Sequence, residues 1–261
     1  MADAKYWRDL ETPAAIVDVD RMKANLLSAR DYCSNWTINH RPHVKTHKSS
    51  ALAQEQLNVG AVGLTVATPK EAEVMAQVVD DILVAYPPVG DQRLSRLLSL
   101  PEHVTLSVGL DSSESMQGLG REARKRGRTV GVLIEVDVGL GRVGVGSLEE
   151  TLRLAAEAYE TDGISYRGIL FYPGHIRVPS GSQGPMMQAL ANRLMRYLSA
   201  LRQAGLTPEI VSGGSTPTLF RSHQIEGLTE VRAGTGIFND RTTALLDACA
   251  RTDCALSLIH I

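Results

Sequence analysis

Three basic side chains occupy alternate positions in one short segment of the chain: His43, Lys45 and His47. In an extended segment these side chains share one face. A lysine at the inner end of a barrel strand is costly to bury as a cation, so its pKa falls and its amine becomes a nucleophile for carbonyl compounds. A zinc site on a helix is disfavoured because Pro42 breaks a helix and Val44 stands where a metalloprotease motif needs glutamate. The alternative interpretation is a solvated lysine in a basic loop.

Two loops of small residues follow later strand candidates, at residues 212–218 and 233–240. Small residues let backbone N–H groups approach an anion closely, and a following helix N-terminus adds positive potential. Each loop alone is also an ordinary turn. Together, after the seventh and eighth strands of an α/β barrel, they predict a phosphate site. The residues predicted to form it are Ser212, Gly213, Gly214, Ser215, Thr216, Gly234, Thr235 and Gly236.

Residues 139–144 match the Gly-x-Gly-x-x-Gly dinucleotide pattern and follow a strand candidate. The acid that would bind a ribose should end the next strand, but that strand ends in Leu170, Phe171 and Tyr172. We therefore reject a nicotinamide or flavin site. Arg142 is interpreted instead as a fixed cation aimed into the barrel mouth, where its planar fork holds an oxyanion or phenolate. The alternative is an exposed loop arginine.

Tyr172 and His175 directly follow the sixth strand candidate. Histidine titrates near neutrality and can move protons, while tyrosine offers an aromatic face and a hydroxyl group. We predict both residues to be catalytic, although a structural role explains either of them equally well on its own.

Strand and helix patterns alternate along the chain, which is typical of parallel strands joined by crossover helices. A capping box from Thr68 to Glu71 predicts the start of a helix over residues 68–78. Apolar residues three or four apart predict the clearest helix, over residues 185–203, which ends at Gly205. Eight strands within roughly 210 residues fit a closed (β/α)8 barrel, since such barrels need about 200 to 250 residues. The eight candidates are residues 40–44, 62–66, 82–85, 105–108, 130–136, 165–171, 209–211 and 229–231.

Two further strand candidates, residues 14–19 and 255–259, lie outside these eight. Because they flank the barrel, we expect them to pair outside it, in a second sheet domain. The sequence stops at Ile261 without a polar cap or turn, so we expect a truncated chain whose C-terminal β-domain is missing. The predicted organisation is an N-terminal strand and helix over residues 1–38, a barrel over residues 39–250 and the start of a C-terminal β-domain over residues 251–261.

The 27 basic and 29 acidic residues give a net charge of −2. Such a charge supplies no basic field that would gather nucleic acid or an anionic membrane. No apolar run is long enough for a transmembrane helix, and residues 1–9 lack the apolar core of a signal peptide. Cys33, Cys249 and Cys254 are odd in number and widely spaced, which predicts packed, reduced thiols. We expect a cytoplasmic protein with neither nucleic acid nor membrane as a partner.

Residues 41–48, together with the loops at residues 212–217 and 234–240, resemble the D-threonine aldolase and D-serine dehydratase family. The resemblance spans about residues 10–255. The barrel is similar to the N-terminal barrel of alanine racemases, in the fold-type III group of pyridoxal 5′-phosphate (PLP) enzymes. This resemblance implies a PLP-dependent lyase that acts on small β-hydroxy amino acids of D configuration.

The resemblance also implies roles for the residues singled out above. Lys45 would form a Schiff base with the cofactor aldehyde, exchange it for the substrate amine and then act as a base. Arg142 would lie beside the phenolic oxygen of the cofactor, in a binding site that includes His43 and Tyr172, and the two loops would hold the phosphate. His175 would accept the proton of the substrate β-hydroxyl, which starts retro-aldol cleavage. Removal of the α-proton with loss of the hydroxyl would give dehydration instead.

Members of this family continue into a C-terminal β-domain whose His-x-Asp or His-x-Cys pair binds a divalent metal. Because the chain ends first, we expect Mn²⁺ or Zn²⁺ only in a full-length protein, and a homodimer likewise. Three alternatives stay open: a non-catalytic PLP-binding homeostasis protein, an amino-acid racemase, and a cofactor-free aldolase that uses Lys45 directly. In the last case the glycine loops have no purpose unless the substrate is phosphorylated.

Overall fold

A computed structural model describes residues 10–260 of the chain, so the N-terminal segment examined for a signal peptide lies outside the described residues. The strands are β1 Ala14–Val17, β2 Asn39–His40, β3 Leu64–Val66, β4 Asp81–Val84, β5 Thr105–Leu110, β6 Val130–Val136, β7 Ile164–Phe171, β8 Ile210–Gly213, β9 Glu230–Val231 and β10 Leu256–Ile259. The α-helices are α1 Val19–Asn35, α2 Ser50–Asn58, α3 Pro69–Met75, α4 Asp91–Leu98, α5 Ser113–Lys125, α6 Leu148–Glu160, α7 Gly184–Gln203 and α8 Arg241–Leu245.

Eight strands form one parallel sheet in the order β2-β9-β8-β7-β6-β5-β4-β3. The two ends of this sheet meet, because the Val62 amide donates to the His40 carbonyl at 3.0 Å and the Thr65 amide donates to the Pro42 carbonyl at 2.9 Å. The sheet therefore curls round on itself, which confirms the predicted eight-stranded α/β barrel. Side chains at the C-terminal ends of all eight strands consequently face one common mouth.

The barrel core explains the apolar runs in the sequence. Strand β6 is buried at every position, as expected for a parallel strand covered by other elements on both faces. Helix α7 buries one face against the barrel through Met187, Leu190, Leu194 and Leu198, at the helical spacing from which the helix was predicted. Each such side chain contributes about 2 kcal/mol by leaving water. These contacts fix the strand ends that carry the functional side chains.

The two strands outside the barrel pair with each other, as predicted. Strands β1 and β10 are antiparallel, with Ala14 opposite Ile259. Leu256 and Leu258 of β10 remain exposed. The ends of the described chain are therefore held together in a small sheet beside the barrel.

The segment after β2 differs from the prediction. The strand ends at His40, and residues Val44–Thr46 form a 3-10 turn rather than the extended segment expected. The turn forms because the His43 side chain caps it, with Nδ1 accepting from the Lys45 amide at 3.3 Å. The expectation that the two histidines and the lysine share one face was therefore wrong. His47 turns away and contacts Gln56 of α2 through its Nε2, at 3.2 Å.

Arg41 belongs to the opposite end of the barrel. Its Nε donates to Glu230 at 2.9 Å, and its Nη1 donates to Asp81 at 2.6 Å. Both acids begin a strand, so this ion-pair network, in which Arg41 and Glu230 are buried and Asp81 is partly exposed, lies at the N-terminal ends of the strands. Arg41 stabilises the barrel there and is distant from the mouth, although it precedes Lys45 closely in sequence.

Within residues 10–260, none of the helices has the length and apolar character needed to cross a membrane. The three cysteines in this range are free thiols, as predicted, and Cys33 packs in the core.

Candidate active site

A cavity of about 240 Å³ opens at the C-terminal ends of the barrel strands. This is the end at which α/β barrels carry their active sites. The predicted site residues that line it are His43, Lys45, Arg142, Tyr172, Gly214, Ser215, Thr216, Gly234 and Thr235. Together with Ala85, which follows β4, these residues come from six of the eight strand ends or the loops that follow them.

Lys45 presents its amine to this cavity from the 3-10 turn after β2. Partial burial lowers the pKa of Lys45, and the positive charges of Arg142 and Arg232 lower it further, against a smaller opposing effect of Glu71. A lower pKa gives more of the uncharged amine near neutral pH. The turn therefore holds a lysine whose amine is suited to attack a carbonyl carbon.

His43 is buried beneath the lysine turn. Burial lowers its pKa to about 2, and the neighbouring cations Lys45, Arg232 and Arg142 act in the same direction. The imidazole is therefore neutral across the physiological pH range and accepts the Lys45 amide proton at Nδ1. It acts in this structure as the cap that fixes the lysine turn.

Arg142 lies over the ring of Tyr172, with its guanidinium carbon 4.8 Å from the ring centroid. Lys45 approaches the same ring, with Nζ 5.8 Å from the centroid. The loop that carries Arg142 is held by Asp137, whose carboxylate accepts the amides of Gly139, Leu140 and Gly141 at 2.9 to 3.1 Å. These amides are engaged by an internal carboxylate, which gives a physical reason against a dinucleotide phosphate on this loop.

The two glycine loops also line the cavity. Gly214 has φ +89°, a conformation that favours glycine, and Ser215 and Thr218 cap the 3-10 helix that follows. Gly234 lies against the backbone carbonyl of His43, so closely that any side chain would overlap it. The eighth loop is therefore packed directly on the lysine turn.

Four predicted residues lie outside the lining of this cavity in the described structure. Ser212 is fully buried, and Gly213 packs on the ring of Phe171. Gly236 lines a separate cavity of about 70 Å³ behind the loop. His175 lies beside the Arg142 loop, where its ring is 3.4 Å from the position that a Cβ of Gly139 would take and its Nδ1 is buried without a hydrogen-bond partner among the described residues.

Two buried charged residues of the cavity wall were missed from sequence, Glu135 and Arg232. Glu135 is 3% exposed, and burial raises its pKa to about 7. Arg232 is also buried and donates through Nη2 to the Phe171 carbonyl at 2.7 Å. A charged residue inside the otherwise apolar strand β6 was the sequence signal that could have identified Glu135. Further lining residues on the rim are Thr46, Arg177, Asp240, Thr242 and Thr243.

The described residues form no metal centre. Among residues 10–260, no group of three or more His, Cys, Asp or Glu side chains is arranged to hold a metal ion. The cavity in the described part of the chain is thus lined by a lysine, by arginines and by glycine loops, and the described residues contain no set of metal ligands.

Comparisons with known proteins agree with this geometry. A D-threo-3-hydroxyaspartate dehydratase from Delftia sp. (strain HT23) is 36% identical over 260 residues, covering 96% of this chain and 67% of that protein. A 3-hydroxy-D-aspartate aldolase from Paracoccus denitrificans (strain Pd 1222) is 29% identical over 238 residues, covering 89% and 61%. The crystal structure of a D-threonine aldolase from Filomicrobium marinum superposes with a TM-score of 0.88 at 28% identity, covering 91% of this chain and 65% of that chain.

These matches confirm the resemblance inferred from the lysine segment and the glycine loops. The chain spans about two thirds of the length of these relatives. The family model for the N-terminal domain of alanine racemase matches residues 17–242. The chain therefore belongs to the alanine racemase N-terminal domain family.

Proposed function

We propose that this chain is the barrel of a PLP-dependent lyase that acts on β-hydroxy amino acids of D configuration. The observation that carries the proposal is the placement of Lys45 and two glycine loops on one cavity. An amine of lowered pKa and an anion-binding wall are the two features needed to hold an aldehyde with a phosphate tail. The relatives named above are a dehydratase and two aldolases for such substrates.

The residues present fit PLP. The cavity wall contains buried polar atoms without a partner among the described residues, Glu135 Oε2 and Arg232 Nε, as expected where a polar ligand belongs. Backbone amides of the loops at Gly214 and Gly234 would hold the phosphate. Arg142 would bind the phenolic oxygen, since a guanidinium prefers oxyanions. Lys45 would bond to the aldehyde carbon.

When bound, PLP supplies an electron sink that makes a bond at the substrate α-carbon breakable. The chain's own residues then decide which bond is aligned and where protons go. Lys45, whose pKa is lowered by burial and by the charge of Arg142, would accept a proton at Nζ. Tyr172, whose ring lies near both Arg142 and Lys45, would supply a hydroxyl and an aromatic face on the substrate side. His175, the predicted acceptor of the β-hydroxyl proton, lies beside Gly139 and outside the lining of the cavity.

Either of two products is compatible with these roles. Loss of the β-hydroxyl proton with cleavage of the Cα–Cβ bond gives glycine and an aldehyde, which is the aldolase outcome. Loss of the α-proton and of the hydroxyl gives a 2-oxo acid and ammonia after hydrolysis, which is the dehydratase outcome. The relatives include both a dehydratase and an aldolase, which supports both outcomes. The product analysis described below distinguishes the two outcomes and identifies the substrate side chain.

A divalent metal does not fit residues 10–260, because no donor set is present among them. A variant of a D-threo-3-hydroxyaspartate dehydratase was solved in a metal-free form, which supports a metal site in that relative. We place any metal of this protein, and the homodimer predicted above, in a full-length form with a C-terminal β-domain.

The test is reconstitution of the chain with PLP and measurement of its visible absorption. We expect a yellow protein whose band is lost in Lys45→Ala. Lys48→Ala is the matched control: Lys48 is three positions away, exposed, and paired with Glu71 at 3.2 Å, so its loss leaves the band in place. A colourless wild-type protein, or a band that survives Lys45→Ala, contradicts the proposal.

Product analysis separates the alternatives that remain. D-threonine and D-threo-3-hydroxyaspartate are offered with and without Mn²⁺ or Zn²⁺, and glycine, aldehyde, 2-oxo acid and ammonia are measured. Release of these products supports the lyase. Bound PLP with no product favours the non-catalytic homeostasis protein, and inversion at the α-carbon without cleavage favours the racemase.

A further inference from the structure

A buried glutamine links two loops at the cavity. Gln183 directly precedes helix α7, and its exposed fraction is 0%. Its side-chain nitrogen Nε2 donates to the Val178 carbonyl at 3.2 Å and to the Pro217 carbonyl at 3.0 Å. An amide nitrogen carries two N–H donors, so one side chain bonds to both carbonyls at once.

The two carbonyls belong to different parts of the cavity wall. Val178 lies in the loop after β7, the loop that lines the cavity through Tyr172 and Arg177. Pro217 lies in the turn after β8, residues 214–217, and all four residues of this turn line the cavity. Gln183 therefore connects the wall beside Tyr172 to the turn whose backbone amides would hold the phosphate.

The orientation of the Gln183 amide is determined by these two carbonyls. The reversed amide would place Oε1 against two carbonyl oxygens, which only accept hydrogen bonds. In the observed orientation Oε1 is buried without a hydrogen-bond partner among the described residues. An unpaired buried acceptor costs free energy, so the two bonds donated by Nε2 are made at the expense of Oε1.

The bond to Pro217 acts on the turn from outside it. Within the turn region, Ser215 Oγ and Thr218 Oγ1 bond to each other at 3.0 Å and fix the start of the 3-10 helix. Gln183 instead fixes the position of the turn relative to the loop after β7. A binding site needs its groups held within about 0.5 Å of the productive geometry, so this second constraint matters for an anion bound by backbone amides.

We propose that Gln183 is a positioning residue for the phosphate of the ligand: its amide bonds to Pro217 and Val178 and so holds the turn at residues 214–217 in the geometry that binds the phosphate. The inference rests on the proposed function, which places the phosphate at this turn. Gln183 acts on the phosphate end of the ligand, whereas Lys45 bonds to the aldehyde end. We therefore expect the loss of its amide to weaken only the part of the binding that depends on the phosphate.

The experiment compares the dissociation constants of PLP and of pyridoxal, which has the same aldehyde but no phosphate, measured from the visible band. Gln183→Met removes both donors and keeps an unbranched side chain of similar length. We expect this variant to bind PLP about tenfold more weakly and pyridoxal as well as the wild type does. Equal weakening of both ligands would show a general structural role and overturn the proposal, as would an unchanged affinity for PLP.

Gln188→Met is the matched control. Gln188 belongs to the same helix, is exposed and bonds to Asn192 at 3.0 Å, so its loss leaves both dissociation constants unchanged. A loss of PLP affinity in this control as large as that in Gln183→Met counts against the proposal.

Gln183→Asn keeps the test decisive if Gln183→Met fails to fold. Its amide is one methylene shorter and reaches only one of the two carbonyls, so we expect a smaller loss of affinity, again for PLP alone. Loss for pyridoxal as well, or for neither ligand, contradicts the proposal. A wild type that shows the band but binds PLP no more tightly than pyridoxal also overturns it. A wild type without any band defeats the proposed function instead, so the two failures are distinguishable.

Discussion

Arg142 and Tyr172 form a cation–π contact at the barrel mouth, with 4.8 Å between the guanidinium carbon and the ring centroid. The amine of Lys45 approaches the same ring at 5.8 Å. A cation over an aromatic face gains about 0.5 to 1 kcal/mol when partly exposed. The ring of Tyr172 therefore contacts two positive charges, those of Lys45 and Arg142, which are distant in sequence but line the same cavity.

Removal of Arg142 raises the pKa of Lys45. The guanidinium lowers that pKa through its charge, second only to burial, so Arg142→Ala makes the lysine a stronger base. We therefore expect a rise in the pH at which PLP bonds to the protein most rapidly. Arg193→Ala is the control, since Arg193 stacks on Tyr197 at 5.7 Å away from the cavity lining. An unchanged or lowered pH optimum in Arg142→Ala contradicts this expectation.

Gly234 and Gly236 differ sharply in the room they have for a side chain. A methyl group at Gly234 overlaps the carbonyl oxygen of His43, whereas at Gly236 the nearest atom is Thr216 Cγ2 at 3.6 Å. Gly234→Ala therefore destabilises the chain by about 1 to 3 kcal/mol and displaces the lysine turn. Gly236→Ala changes stability little. Urea denaturation and PLP titration of both variants check this contrast, which equal effects of the two substitutions would refute.

His43 is expected to stay neutral between pH 5 and 9. Burial and the cations around His43 lower its pKa to about 2, whereas the pKa of an unperturbed histidine is about 6.5. The imidazole resonances of His43, assigned by loss in His43→Asn, are expected to show no titration between pH 5 and 9. An inflection near pH 6 would show that the capped turn is absent in solution.

Glu135 makes stability depend on pH in the apo chain. Its folded pKa, about 7, lies above the unfolded value of 4.5, so its contribution is present below pH 4.5 and is lost as the pH rises through 7. Relative to Glu135→Gln, the wild type therefore loses up to about 3 kcal/mol of unfolding free energy between pH 5 and 8. Denaturant midpoints of both proteins measured over this range give the difference. Parallel pH profiles would mean that Glu135 titrates as in the unfolded chain.

The barrel was predictable because short apolar runs, typical of buried strands, alternate with segments whose apolar residues have helical spacing. In a closed parallel barrel the active site lies at the C-terminal ends of the strands, so the position of the site was predictable as well. Lys45, Arg142 and Tyr172 follow strands in sequence, so their presence at one mouth followed from the strand count. Their roles in catalysis stay predictions. Glu135 and Arg232 were missed because neither stands in a loop with a recognisable motif.

The lysine turn could not be predicted from residue periodicity. Alternation of His43 and Lys45 is typical of an extended strand, but the hydrogen bond from the Lys45 amide to the His43 ring favours a turn. That competition depends on the burial of His43 against Gly234, a contact between residues almost two hundred positions apart in the sequence. Local pattern carries no information about such a contact.

The most direct test of the central claim is borohydride reduction of the PLP-treated chain, followed by proteolysis and mass spectrometry. Reduction makes the bond between an amine and the cofactor aldehyde permanent, so the labelled peptide identifies the amine. We predict a single stoichiometric pyridoxyl label on Lys45 in the wild type and in Lys48→Ala. Labelling of Lys48 or of scattered surface lysines, with Lys45 unmodified, would contradict the account.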